Sequence, residues 1–184
     1  ARMGDGDLGL TMQKGFGALP QLIRDNEAEG DIGKTLMKAG MKMAGLVPST
    51  MGTLMSSGIM EGGKAIGKKG EMGPKELAEF LAGFARGIAH RGKCQLGDRT
   101  ILDAVDAGAR KARQALTEGA DMGAMLRRAV EGAKEGVKAT EDMLPKYGKA
   151  AVFSAKAKSV PDQGAVAGQY FLEGLGRYFL GNLK

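Results

Sequence analysis

Glycine fills 31 of the 184 positions, yet most of the residues around it are helix formers. Ala, Leu, Met, Lys and Glu dominate and β-branched residues are sparse, which predicts helices nearly throughout. Ordinary helices do not carry so many glycines. The absence of a Gly-X-Y period excludes a collagen helix. What remains is an all-α chain whose glycines serve turns and close helix–helix approach. Gly40, Gly45, Gly52, Gly83, Gly108 and Gly132 are the expected contact points.

The rest of the composition narrows the class. Hydrophobic residues at 43% and charged residues at 26% fit a globular chain and argue against global disorder. A chain of this length can bury a substantial core, and no linker divides it, so a single domain over residues 1–184 is expected. No apolar run approaches the ~20 residues that span a bilayer, which argues against a membrane protein. No secretory signal is visible. The single cysteine, Cys94, fits a reducing compartment, so a cytoplasmic location is expected. The net charge of +6 comes with dispersed lysines, nine aromatics (Phe 6, Tyr 3) and no Trp. That is no platform for nucleic acid, whereas phosphate-rich ligands or an acidic partner protein account for the charge.

The periodicity predicts about seven helices joined by short connections, an antiparallel bundle. The first runs from Thr11 to about Asn26, with Met12, Phe16, Leu19 and Ile23 on one face and Pro20 kinking or shortening it. Asp31 is placed to cap a second helix through Leu46, with Leu36, Met37, Met41 and Met43 as candidate core. Ser49 or Thr50 caps a third, to about Ala65. Gly67 to Gly73 is a loop, and Pro74 fits the first turn of a fourth helix. Its stripe of Leu77, Phe80, Leu81, Phe84 and Ile88 is the clearest in the chain. His90 to Asp98 is expected to be loop, with Asp98 as a candidate cap. A fifth helix runs from Thr100 to about Thr117 with Leu102, Val105, Ala109, Ala112 and Leu116 on one face. A sixth runs from Met122 to Leu144 and ends at Pro145. After an irregular stretch from Lys146 to Gln163, a last helix carries Phe171, Leu175, Tyr178 and Phe179.

The run Gly4-Asp5-Gly6-Asp7-Leu8-Gly9-Leu10-Thr11 holds the most suggestive chemistry. Asp5 and Asp7 offer the carboxylate oxygens that hard cations such as Mg²⁺ prefer. The helix that follows offers unpaired N–H groups to phosphate oxygens. An EF-hand fails on its own positions, because Leu10 stands where Gly is required and Phe16 where Glu is required. A solvated turn with a helix cap is the commonest fate of such Gly/Asp-rich strings. Pro48-Ser49-Thr50-Met51-Gly52-Thr53 and Arg91-Gly92-Lys93…Gly97-Asp98-Arg99-Thr100 are two further segments before helices, each readable as a cap or a phosphate loop. His90 is the only histidine and has no nucleophile elbow to serve. No P-loop string is present.

Taken in order, these segments resemble the nucleotide-binding L subunit (DhaL, or DAK2, domain) of the dihydroxyacetone kinase family. The resemblance covers nearly the whole chain. It rests on Gly4 to Gly9, on Arg91-Gly92-Lys93 with Gly97-Asp98-Arg99-Thr100 and Asp103, and more weakly on Gly40-Met41 to Gly52, Gly148-Lys149-Ala150 and Asp162-x-Gly164-Ala165. It implies an eight-helix barrel-like bundle around ADP or ATP and two Mg²⁺ ions, with the family's first helix preceding Ala1. It implies Asp5 and Asp7 as metal ligands, with a third aspartate belonging one position before Ala1. The phosphates would meet the backbone at Leu8, Gly9, Leu10 and Thr11 and at Thr50 and Met51. Gly92 and Ile101 would line the adenine or ribose side. Lys149 stands where the family usually has Arg, and Asp162, Gln163 and Gly164 fill the closing loop.

By the same resemblance the chain is one subunit of a kinase. A separate K subunit holds a small ketone or ketose, and this subunit presents the phosphoryl group. Some members use ATP, whereas others keep ADP bound and are rephosphorylated by a phosphotransferase M subunit; a homodimer is compatible with either. Several positions depart from the family pattern. Leu8 replaces the usual His, Pro48-Ser49-Thr50-Met51-Gly52 replaces a Gly-Gly-Ala-Ser-Gly type of turn, and Phe153 to Lys158 lacks a Leu-Gly-Glu-Arg-Ser pattern. They point to a divergent branch. The alternative is a non-catalytic helical regulatory or binding module that retains the fold.

Overall fold

The computed structural model describes residues 8–147 and 159–181. Seven α-helices stand among them: α1 (Leu8–Asp25), α2 (Ile32–Leu46), α3 (Thr50–Ile66), α4 (Pro74–Gly92), α5 (Ile101–Thr117), α6 (Met122–Ala139) and α7 (Gln163–Leu180). A short 3-10 turn, Thr140–Asp142, extends α6, and no strand occurs among the described residues. The all-α class expected from composition is what forms. The chain divides into two compact units, residues 1–93 and 94–184.

In the first unit α3 packs against both α2 and α4, and α1 lies on α2 and α3. Glycine sets the spacing. A Cβ on Gly40 of α2 would lie 2.8 Å from Met60 Cγ and 3.0 Å from the Ser56 carbonyl, and one on Gly33 would strike the carbonyls of Gly63 and Gly67. Early α2 therefore meets late α3, so the pair is antiparallel. The α3–α4 pair is antiparallel too: a Cβ on Gly62 would lie 2.5 Å from the Phe80 ring, and one on Gly58 2.8 Å from the Phe84 ring. Leu77, Phe80, Leu81, Phe84 and Ile88 are all buried, as their spacing predicts.

In the second unit α5 and α6 run antiparallel at backbone contact. A Cβ on Gly132 would lie 2.6 Å from the Ala107 carbonyl, and one on Gly136 would strike the Asp103 carbonyl. Helix α7 lies on both. It runs parallel to α5, because Gly168 faces Ile101 and Val105 while Leu172 reaches Gly108.

Several expectations are corrected. Helix α1 begins at Leu8 and continues through Pro20, so the proline does not shorten it. Helix α4 continues through His90 to Gly92, and Lys93 ends it in the left-handed region at φ 50°. Thr100, not Asp98, caps α5. Helix α6 stops at Ala139, before Pro145, because the Thr140 hydroxyl folds back onto the Val137 carbonyl (2.6 Å) and the backbone tightens into the 3-10 turn. Met37 and Met41 are exposed, and α2 buries Gly33, Thr35, Ala39, Gly40 and Met43 instead. Tyr178 and Phe179 likewise face outward, while Ala165, Ala167 and Leu172 are buried. Gly45 touches nothing within 4 Å.

Candidate functional site

The first unit brings two helix beginnings side by side. Ser49 caps α3 by accepting a hydrogen bond from the Gly52 N–H (3.0 Å), and its hydroxyl donates to Thr11 Oγ1 of α1 (3.4 Å). One serine thus fixes the start of α3 and ties it to the first turns of α1. The third helical amide of α3 is taken by the cap. Thr50 and Met51, the first two, point out of the helix end with no intrahelical acceptor, as helix geometry dictates. Leu8, Gly9 and Leu10 open the described part of α1, where Gly9 and Leu10 are exposed. Each helix end carries roughly half a positive charge.

Beside this junction lies a cavity of about 230 Å³ lined by Leu10, Thr11, Lys14, Leu46, Val47, Pro48 and Ser49. The lining combines Thr11, Ser49 and Lys14 with the apolar residues Leu10, Leu46, Val47 and Pro48. The structure therefore ties Thr11 of α1 to Ser49, the cap that precedes Thr50 and Met51. Lys14, which the motifs did not single out, joins Ser49 in lining the cavity. The signal for Lys14 was available: it sits one turn beyond Thr11, on the same side of a helix.

Gly92 is the last residue of α4, half-buried. The remaining described candidates belong to the second unit. Ile101 is the first residue of α5, with its side chain buried against Gly168 of α7. Asp162 caps α7, accepting from the Ala165 N–H (2.8 Å), and its own N–H donates to the Thr140 hydroxyl (2.9 Å). Burial pushes the Asp162 carboxyl above the ordinary carboxylate range, against the pull of the Ala165 amide and the Arg99 guanidinium. Gln163 and Gly164 open α7, Gln163 exposed and Gly164 half-buried.

The loop before α5 is a buried polar knot. Asp103 accepts from the Gly97 and Thr100 amides (2.7 and 2.8 Å), closing a capping box. Asp98 accepts from the Gln95 amide (2.9 Å) and pairs with Lys146, which holds its carboxyl below the ordinary range. Arg99, 4% exposed, sits at φ 60° and donates to the carbonyls of Met143 (3.2 Å) and Val160 (2.5 Å). These acids and this arginine are spent on holding loops. Burial pushes the Cys94 thiol up, away from thiolate chemistry at neutral pH.

Asp5, Asp7 and Lys149 lie outside the described residues, as do the Gly148-Lys149-Ala150 and Phe153–Lys158 segments. Among the described residues no group of three or more His, Cys, Asp or Glu is arranged to hold a metal. No described helix is long and apolar enough to cross a membrane.

A family model, the DAK2 domain, matches residues 2–177. Among curated proteins, the chain is 36% identical over 103 residues to the PEP-dependent dihydroxyacetone kinase 2, ADP-binding subunit DhaL, of Listeria innocua; the match covers 55% of this chain and 48% of that subunit. It is 25% identical over 165 residues to an L-erythrulose kinase of Pectobacterium atrosepticum, covering 89% of this chain and 28% of the relative. It is 25% identical over 171 residues to the corresponding DhaL subunit of Escherichia coli, covering 93% and 81%. The chain thus spans about half of the first relative's length and little more than a quarter of the second's.

Proposed function

The chain belongs to the DAK2 domain family, and on that premise we propose that it is the ADP- or ATP-binding subunit of a dihydroxyacetone-kinase-type enzyme. It presents a phosphoryl group to a small ketone or ketose held by a separate K subunit, within one nucleotide-binding domain spanning residues 1–184. The observation that carries this reading is the junction of two helix beginnings at Thr11 and Ser49, 3.4 Å apart, beside a cavity with Lys14 in its wall. Paired helix ends with open amides form an anion site, and phosphate is the anion that the relatives' printed names, an ADP-binding subunit and kinases, call for.

The backbone at Leu8–Thr11 and at Thr50 and Met51 orients the phosphates and stabilises charge on the transferring group. Asp5 and Asp7, immediately before α1, are the residues that would hold Mg²⁺, because their oxygens suit a hard cation. The ion, when bound, neutralises phosphate charge. Lys14 adds a mobile point charge. Gly92 and Ile101 are assigned to the adenine or ribose side, and Lys149 and Asp162–Gly164 to closure. A phosphotransferase M subunit that rephosphorylates bound ADP, a homodimer and a cytoplasmic location complete the reading.

Titration calorimetry of Mg·ADP into the chain tests it. Micromolar or tighter binding is expected, weakened at least tenfold by Asp7→Asn and about tenfold by Lys14→Ala. That is about 1.4 kcal/mol, as befits a charge-assisted contact at a partly exposed site. Absence of binding, or binding indifferent to Asp7→Asn, overturns the proposal. Turnover on mixing with a K-type subunit separates it from the non-catalytic alternative.

A further inference from the structure

Helix α2 is built inside out. It buries Gly33, Thr35, Ala39 and Gly40, with Met43 as its only large buried side chain, and turns Lys34, Met37, Lys38, Met41 and Lys42 to solvent. Met41 is 63% exposed and Met37 37%. At 100° per residue these five side chains cover an arc of about 140°, with the lysines along one edge and the methionines along the other. The helix carries no acidic residue. Among the described residues none of the three lysines forms an ion pair, and they share that with Lys14, Lys68, Lys75 and Lys138, but only on α2 do three such lysines line one edge of a helix. The two methionines lie next to each other and beside the lysines, so apolar surface and uncompensated positive charge share one face.

We propose that this outward face of α2 is a docking surface for an acidic protein segment that sets carboxylates against Lys34, Lys38 and Lys42 and apolar side chains against Met37 and Met41. Charge complementarity fixes the sign of the partner. Methionine, unbranched and polarizable, suits a contact that must adapt to its occupant. The row from Lys34 to Lys42 is only about 12 Å long, which matches two to three turns of a helix and a small, transient interface. A membrane surface is disfavoured because the face has no Trp, Phe or Leu to bury, and three lysines alone anchor weakly. A nucleic acid is disfavoured because the face has neither arginine nor an aromatic platform. The inference is independent of the nucleotide reading, since none of these residues lines the cavity beside α1.

The test is fluorescence anisotropy with a labelled synthetic 20-residue amphipathic helix carrying Glu along one edge and Leu along the adjacent edge. Micromolar binding at low salt is expected, falling at least fivefold when salt is raised from about 50 to 300 mM. The triple variant Lys34→Glu/Lys38→Glu/Lys42→Glu should weaken it at least tenfold, and Met37→Ser/Met41→Ser at least threefold. Neither should change the melting temperature or the affinity for Mg·ADP. A control with the same charge change on exposed residues elsewhere in the first unit, Lys68→Glu/Lys75→Glu/Arg86→Glu, should leave peptide binding within twofold. The proposal falls if the peptide does not bind, or if the control loses as much as the triple variant. It also falls if the triple variant instead loses binding to phosphatidylserine vesicles or a single-stranded oligonucleotide while the peptide stays unbound.

Discussion

Ser56 is 1% exposed in the middle of α3, and among the described residues its hydroxyl has no hydrogen-bond partner. An unmet hydroxyl in an apolar interior costs free energy that an alanine would not. Ser56→Ala is therefore expected to raise stability by up to about 1 kcal/mol, read from the urea midpoint at unchanged m-value. A loss of stability would mean that the hydroxyl has a partner in solution. Asp162 makes a second single-residue case, with a sign set by pH. Burial raises its carboxyl, so the native state keeps that proton to higher pH than the unfolded chain does. Its contribution is full below the ordinary carboxylate range and drains away as pH rises through the raised value. Asp98 works the other way: held low by Lys146, it supports the fold above the ordinary range and fails as pH falls through its own lowered value. Asparagine at position 162 keeps the cap acceptor without the charge. Asp162→Asn should flatten the decline in stability above about pH 4, while Asp98→Asn should flatten the loss below it. Urea midpoints across pH would check both, and unchanged slopes would refute the assignments.

At the level of elements, glycines that look alike in sequence do opposite things. Gly17 and Gly136 both sit inside helices, but a Cβ on Gly17 meets nothing within 4 Å, whereas one on Gly136 would strike the Asp103 carbonyl and lie 2.7 Å from Ala104 Cα. Gly17→Ala should stabilise by about 0.5–1 kcal/mol through helix propensity alone. In Gly136→Ala the obstacle is backbone, which cannot swing aside, so a net loss of about 1–3 kcal/mol is expected despite the same propensity gain. Thermal melts of the two variants decide it. The contrast also shows what sequence can carry. Asp31, Ser49 and Pro74 mark the starts of α2, α3 and α4, because caps and first-turn prolines act locally. The stripe of α4 was legible because its large residues face a neighbour's glycines. The faces of α2 and α7 were not: there the buried side is small, and the eye follows Met37, Met41 and Tyr178 to the wrong side. Asp98 looks like a cap for α5, but its carboxylate is claimed by Gln95 and Lys146, a partner 48 positions away in sequence. The same limit applied to the candidate site. The helix beginnings at Leu8–Thr11 and Thr50–Met51 could be named from motifs, but the Ser49–Thr11 bond that joins them is a tertiary fact.

For the whole molecule, nucleotide binding is a question of linkage. A ligand that binds only the native state stabilises it by RT ln(1 + [L]/Kd), about 2.7 kcal/mol at a hundred times Kd. For a chain of this size each kcal/mol moves the melting temperature by roughly 2–4 °C, so saturating Mg·ADP should raise it by roughly 5–10 °C. The effect should vanish in Asp5→Asn/Asp7→Asn and survive in Lys34→Glu/Lys38→Glu/Lys42→Glu, since one set is assigned to the ligand and the other to a protein partner. Because the first unit holds the paired helix beginnings, hydrogen exchange should slow first at Leu8–Thr11 and at Thr50 and Met51. Amides within the α4 stripe, protected already by burial, should change less. Protection that rises uniformly through the chain with no excess at those amides would mean that nucleotide stabilises it without using the helix ends, and the phosphate assignment would have to be abandoned.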